Sequence, residues 1–228
     1  MTAVEVKGIV KTYDLGKTQV HALRGVDIAV GVGEFATIAG PSGSGKSTLL
    51  NIIGCIDRPT HGEVWIAGTE VSGLPDARLN GIRSRTIGFV FQSFNLIPVL
   101  NVYENIELPL LIRRDVSPKE RRRRVERFME EVGLKDQLRQ RPAELSGGQR
   151  QRVAVARALA TGPKVVLADE PTANLDSATG LEIIECMHAI NRKENVTFIF
   201  SSHDPKIIGR ADRVFRLEDG RKTGEEAP

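Results

Sequence analysis

The run Gly40-Pro41-Ser42-Gly43-Ser44-Gly45-Lys46-Ser47-Thr48 has the makings of a phosphate cradle. Glycines at 40, 43 and 45 open backbone turns that residues with a Cβ resist, so successive N–H groups can point inward at phosphate oxygens. Lys46 offers a point charge for β and γ phosphates and Ser47 a hydroxyl for a magnesium ion, both at the opening of a helix whose dipole favours anions. The apolar run Val165-Val166-Leu167-Ala168 ends in Asp169-Glu170, adjacent carboxylates that are costly together unless charge meets them. A phosphate-bound magnesium would hold Asp169 and leave Glu170 to polarise an attacking water; the plainer reading is a strand-end helix cap before Pro171. His203 can donate to a γ phosphate or serve only as a cap or loop residue. Gln92 carries a polar amide off the end of a strand, toward a metal, an attacking water or a simple strand-end hydrogen bond. Ser146-Gly147-Gly148-Gln149 opens a helix with a second amide cluster suited to an anion, while Ser146 is also a good N-cap. Tyr13, just before a polar turn, suits either core packing or stacking on a base.

Hydrophobic periodicity supplies the elements that must position these groups. Two strands are expected first, one through Val4, Val6, Ile9, Val10 and Tyr13 and one from Val20 to Val30 after a turn at Gly16 to Gln19. Phe35 to Ala39 is a strand feeding the cradle, and Lys46 to Ile56 a helix behind it, so the cradle has the strand-turn-helix context it requires. Glu63 to Ala67 and Ile87 to Phe91 read as strands, with a short helix from about Pro75 to Arg85 between them. From Ser93 to Pro142 strand signals stop, and Asn101 to Arg113 and Ser117 to Val132 read as helices of a side lobe. The second of these begins with a capping box, Ser117 and Glu120, and is ended by Gly133. Helices over Arg150 to Ala160 and up to about Asn191 flank the buried strand at Val165, and Val196 to Phe200 is a second buried strand. A last strand pair lies around Arg213 to Leu217 and the Asp219-Gly220 turn, and Lys222 to Pro228 reads as a frayed tail.

At 228 residues, with 40% hydrophobic and 27% charged residues, the chain has the composition of one globular domain with a side lobe. Its 32 basic and 29 acidic residues nearly cancel to a net charge of +3, which argues for no nucleic-acid partner. The local excess of Arg121 to Arg124 with Arg113, Arg114 and Arg127 reads as a solvated helix face rather than a binding patch for RNA or anionic lipid. Cys55 and Cys186 are far apart in apolar contexts without metal-type spacing, so both are expected reduced and buried, as suits the cytoplasm. Met1 to Val10 carries Glu5 and Lys7 and no apolar region of signal-peptide length, and no apolar run approaches the roughly 18 residues a membrane span needs.

These motifs, in this order, make the chain resemble the nucleotide-binding subunit of an ATP-binding cassette (ABC) transporter over about Val4 to Arg221. Gly40 to Thr48 matches Walker A, Gln92 the Q-loop, Leu145 to Gln149 the signature, Val165 to Glu170 Walker B, Asn174 to Asp176 the D-loop and His203 the switch histidine. The resemblance implies an α/β P-loop fold, a mostly parallel core sheet with an antiparallel β subdomain and a helical side subdomain. The whole of 1–228 is then one ATPase domain, core about 1–92 and 143–228, helical subdomain about 93–142. It also implies magnesium-dependent hydrolysis of ATP to ADP and phosphate, with Lys46, Glu170 and His203 catalytic and Ser47, Gln92 and Asp169 at the metal. Gly40 to Thr48, Gln92 and Ser146 to Gln149 would contact nucleotide, and Tyr13 becomes an adenine platform.

Two copies are expected to pair head to tail around ATP, with Ser146, Gly147 and Gly148 of one reaching the γ phosphate held by the other. Separate transmembrane permease subunits would hold the dimer at the inner face of the membrane. The segments Ile52 to Cys55, Gly88 to Pro98 and Glu104 to Leu110 are similar to the lipoprotein-releasing, macrolide-exporting and cell-division branch, and polar amino-acid importer cassettes share parts of them. Relatives that handle nucleic acid carry a coiled coil between Q-loop and signature or two cassettes in tandem; here Gln92 and Leu145 are 53 residues apart in a single cassette. An inactive structural cassette would not be expected to keep Lys46, Asp169, Glu170 and His203 together.

Overall fold

The structure is a computed structural model that describes residues 1–16 and 18–227, so Lys17 of the expected first turn and Pro228 lie outside the described residues. In chain order the first half comprises β1 (Thr2–Leu15), β2 (Thr18–Gly31), β3 (Phe35–Ala39), α1 (Lys46–Ile53), β4 (His61–Ile66), β5 (Thr69–Glu70), α2 (Asp76–Thr86) and β6 (Ile87–Val90). The second half comprises α3 (Val102–Leu111), α4 (Pro118–Glu131), α5 (Gly147–Ala160), β7 (Val165–Ala168), α6 (Ser177–Glu194), β8 (Thr197–Ser202), α7 (Pro205–Ile208), β9 (Arg213–Glu218) and β10 (Arg221–Glu226).

Two sheets result. The first, β2-β1-β4-β5, is antiparallel throughout. In the second, β10-β9-β3-β8-β7-β6, every pairing from β9 to β6 is parallel and only β10 runs the other way. The parallel strands are buried on both faces, as their unbroken apolar runs require. Phe35, Val166, Phe198 and Phe200 point into a cluster shared with α3, α4, α5 and α6. Ala36, Ile38, Val165, Leu167 and Ile199, alternating with them, point into a cluster shared with α1 and the antiparallel sheet. The period of two thus welds both layers onto one sheet.

Registers align the strand ends that matter. Ala39 pairs Ser202, Ala168 pairs Phe200 and Val90 pairs Ala168, so the residues following β3, β8, β7 and β6 leave one edge of the sheet together. That carboxyl edge is where open α/β sheets bind ligands.

Several local expectations change. Helix α1 stops at Ile53, earlier than expected, because Gly54 caps it and Cys55 takes a left-handed φ of 55°. Ser117 caps α4 by accepting from the Glu120 amide, but the reciprocal half of the expected box is missing. The Glu120 carboxylate is taken by Arg123 and Arg124, which hold its pKa down at about 2. Arg121 and Arg122 are likewise spent on Glu107 and Glu126. A full capping box appears instead at α3, where Asn101 and Glu104 satisfy each other's amides. Gly133 does end α4, with its own amide on Glu130 and that of Leu134 on Met129.

The tail expected to fray forms β10, held to β9 by Arg213–Glu225 and Arg216–Glu226 pairs between side chains of opposite charge. Cys55 is buried, its thiol pushed up to about 11, whereas Cys186 is only partly buried.

The sheet's outer strand fits against α5 without room to spare. A Cβ added at Gly88 of β6 would lie 2.7 Å from the Ala158 carbonyl. Gly88→Ala is therefore expected to cost about 2 kcal/mol through overpacking, read as a lower urea midpoint with an unchanged slope.

Candidate functional site

The loop between β3 and α1 curls because two glycines are indispensable to it. Gly45 holds φ at 102°, and a Cβ there would sit 2.6 Å from the Ala22 carbonyl; at Gly40 one would meet the Leu217 carbonyl at 2.0 Å. The loop is thereby pressed onto β2 and β9, and the Gly220 amide donates to the Ser44 carbonyl at 3.1 Å to brace it.

Inside this curl lies Lys46, 5% exposed. Its Nζ donates to the carbonyls of Gly40 and Pro41 at 2.8 and 2.9 Å and stands 3.5 Å from Glu170 Oε1. A buried ammonium is tolerable only with such partners. Glu170 follows β7 with a left-handed φ of 46°, a conformation that costs a residue other than glycine roughly 1–2 kcal/mol. Ser201 of β8 secures it: the Glu170 amide donates to Ser201 Oγ at 2.8 Å, and that hydroxyl donates to Asp169 Oδ1 at 2.8 Å. The carboxylate also faces His203 Nδ1 at 3.0 and 3.1 Å, a contact that places a proton on Nδ1. Ser47 Oγ donates to Asp169 Oδ1 at 2.9 Å.

A cavity of about 680 Å³ opens over these groups. Pro41, Ser42, Gly43, Gly45, Lys46, Ser47, Thr48, Gln92, Glu170 and His203 all line it, so most of the expected phosphate-side residues converge. Gln92 is anchored through its carbonyl, which accepts from Asn174 Nδ2 at 2.9 Å. Gly40 and Ser44 lie behind the lining, and Asp169 reaches the site through Ser47. Val20, His21 and Ala22 of β2 form the opposite end, which pattern reading did not single out because their side chains are mostly solvent-facing strand positions.

Tyr13 is not among the lining residues. Burial and a hydrogen bond from its hydroxyl to Asp57 Oδ2 at 2.7 Å raise its pKa, and Lys11 Nζ stands 4.7 Å from its ring centroid. Ser146 to Gln149 do not line the cavity either. They form a reciprocal cap, Ser146 Oγ accepting from the Gln149 amide at 3.2 Å and Gln149 Oε1 from the Ser146 amide at 2.9 Å. That box uses the N-cap and third-residue amides and leaves those of Gly147 and Gly148, which no helix can bond internally. The cap and the anion-binding readings are thus compatible.

Ser201, which ties Asp169 to the Glu170 amide, is the site residue that sequence reasoning passed over. Its one signal was a hydroxyl directly after the apolar run Phe198-Ile199-Phe200 of a buried strand.

The residues present fit a magnesium nucleotide. Ser44 Oγ is buried with no partner, the Lys46 cation is held on neutral carbonyls and a single carboxylate, and Ser47 and Asp169 set two oxygens side by side, the hard donors magnesium takes.

Comparison with known proteins agrees. A family profile described as "ABC transporter" matches residues 23–173. An uncharacterised ABC transporter ATP-binding protein of Thermotoga maritima is 51% identical, covering 98% of this chain and 94% of that one. The lipoprotein-releasing system ATP-binding protein LolD of Anaeromyxobacter dehalogenans is 46% identical over 96% and 91%. The macrolide export ATP-binding/permease protein MacB of Syntrophobacter fumaroxidans is 44% identical over 96% of this chain but 31% of its own length. Among solved structures, a dimeric ATP-binding cassette in a post-hydrolysis state with ADP and Pi superposes with a TM-score of 0.90 at 45% identity, covering 98% of each chain.

The Tyr13 anchor carries a pH signature. Burial raises the Asp57 pKa, but hydrogen bonds from Lys11, Tyr13 and the Arg58 amide outweigh it and leave the group below its ordinary value. Its contribution to stability is present above about pH 4 and is lost as pH falls through the lowered folded value. Asp57→Asn should therefore be less stable than the parent at pH 7 by urea unfolding, the difference closing as the pH falls below the ordinary carboxylate range and through the lowered folded value.

Proposed function

The chain belongs to the ABC transporter family, and from that premise we propose that it powers a membrane export complex of lipoprotein-releasing or macrolide type, as a dimer enclosing ATP between two copies. It is an ATPase of that family, binding ATP and magnesium. The observation that carries the proposal is the meeting of Lys46, Ser47, Glu170 and His203 in one cavity, while the free amides of Gly147 and Gly148 belong to a helix start outside it.

The cavity residues divide the work. Lys46, released from the Gly40 and Pro41 carbonyls, gives its charge to the β and γ phosphates, and the loop amides supply further donors. Magnesium, when bound, neutralises phosphate charge, and Ser47, Asp169 and Gln92 are the residues that would hold it. Glu170, no longer facing Lys46, accepts a proton from the attacking water; His203, whose Nδ1–H holds that carboxylate in the ligand-free chain, turns a ring N–H to the γ phosphate when nucleotide is bound. Tyr13, beside α1, is the platform for the adenine ring.

On this reading each cavity takes its remaining donors from a second copy. Ser146, Gly147 and Gly148 of the partner supply them, so nucleotide binds the closed pair more tightly than the open one and hydrolysis reverses the preference. The fold supports a division into a core of about 1–92 and 143–228 and a helical subdomain of about 93–142, since only helices and turns fall in the latter.

Export is favoured by the relatives named for lipoprotein release and macrolide export. Among the described residues no helix is long and apolar enough to cross a membrane. In the proposed complex a permease subunit holds the cassette at the inner face of the membrane. Its seat is beside the Gln92 loop, where Ile97 and Val99 are 37% and 74% exposed.

Glu170→Gln should keep ATP binding, lose hydrolysis by about a hundredfold or more, and elute with ATP as a stable dimer in size exclusion. ATP-bound protein that elutes only as a monomer would sink the shared-site reading. Lys46→Ala, deprived of the cation at the phosphates, should neither bind ATP by calorimetry nor dimerise.

A further inference from the structure

The loop after Gln92 is held in an unusual shape. Phe94 and Asn95 both adopt left-handed backbone conformations, with φ of 61° and 48°. Asparagine visits that region readily, but a phenylalanine does so only when something restrains it. The short turns that accompany it, Phe94 amide to Phe91 carbonyl and Asn95 amide to Ser93 carbonyl, are local and do not explain the restraint.

The restraint comes from α5. Arg157 Nη2 donates to the Phe94 carbonyl at 2.7 Å and Nη1 to the Asn95 carbonyl at 2.5 Å, one guanidinium spanning both unusual residues. Arg157 has no carboxylate partner among the described residues, and burial lowers its pKa, so this cation gives up water for two neutral carbonyls. Two turns earlier on the same helix, Arg150 lays its guanidinium over the Phe94 ring, 5.2 Å from the centroid, with its Nε buried and unpartnered. At the other end of the loop, Asn174 holds the Gln92 carbonyl.

We infer that Arg157 is a positioning residue: its two-pronged grip on Phe94 and Asn95 sets the loop that presents Gln92 to the nucleotide cavity. The planar fork is what the task needs. A lysine in its place keeps the charge but cannot hold two adjacent carbonyls in one plane. The inference rests on the metal-side role proposed above for Gln92, while the grip itself is a property of the chain without ligand.

The test uses both levels in the full-length protein. In Arg157→Lys without nucleotide, hydrogen exchange across residues 92 to 96 should accelerate about tenfold, with the rest of α5 unchanged. In ATPase assays the same variant should need several-fold more magnesium for half-maximal rate, while magnesium-free ATP binding by calorimetry stays within about twofold. Arg157→Lys combined with Gln92→Ala should be no slower than Gln92→Ala alone, because a residue acting through Gln92 has nothing left to act on.

Unchanged exchange in the loop, or multiplied losses in the double variant, would overturn the inference. Arg157→Gln repeats the exchange measurement should the lysine variant fold poorly. A parent protein with no magnesium-dependent ATPase would defeat the functional reading instead, and would leave the exchange result standing.

Discussion

One buried ammonium governs this site. Lys46 is taken out of water at the mouth of α1, where an unpaired cation would cost several kcal/mol, and it is met by two main-chain carbonyls and the Glu170 carboxylate. The cavity is thus internally neutralised. A ligand draws Lys46 away only if it brings more negative charge than one carboxylate and two carbonyl dipoles provide. A nucleoside does not; a triphosphate does. Because Glu170 is shared between Lys46 and His203, movement of the ammonium toward a phosphate also changes what the carboxylate can accept, which joins ligand entry to the readiness of Glu170 for the role of base proposed for it.

The surrounding fold can be understood as what keeps that ammonium and that carboxylate within reach. Gly40 and Gly45 let the loop lie against the Leu217 and Ala22 carbonyls, closer than any side chain would permit. The β9–β10 turn then braces it through Gly220. On the other side, the left-handed backbone at Glu170 aims its side chain back over the loop, and Ser201 ties this conformation to the next strand while also orienting Asp169. The parallel register between β7 and β8 fixes the distance those two hydrogen bonds need.

What could be read in the sequence was whatever is local or periodic. The cradle is contiguous, its strand and helix flank it, and the apolar runs of β7 and β8 end at polar residues, so the carboxyl edge of the sheet could be assembled by pattern alone. What could not be read depends on partners distant in the chain. Glu120 has the spacing of a capping box, but two arginines on the next turn compete for its carboxylate. The tail from Lys222 looks unstructured until the side chains of Arg213 and Arg216 of β9 are seen to pair with Glu225 and Glu226. Tyr13, read as core or as an adenine platform, lies near Thr48 of α1, and its hydroxyl is held by Asp57, which follows that helix. Ser201 is one hydroxyl among several near a strand end, and only the pairing of β7 with β8 gives it two partners.

The two helix starts that the proposed function assigns to phosphate differ in a way that gives each its own part. The opening of α1 faces its own cavity and already contains a cation, so it can hold a polyanion by itself. The opening of α5 contains no cation at its cap; Ser146 and Gln149 satisfy two of its amides and leave those of Gly147 and Gly148 without a partner in the helix. Amides alone bind an anion weakly against water, and become effective where the charge is already immobilised and solvent is excluded. A second copy that brings a phosphate held on its own Lys46 meets both conditions. The weaker start is therefore suited to sensing an anion held elsewhere, which is what a head-to-tail pair demands of it.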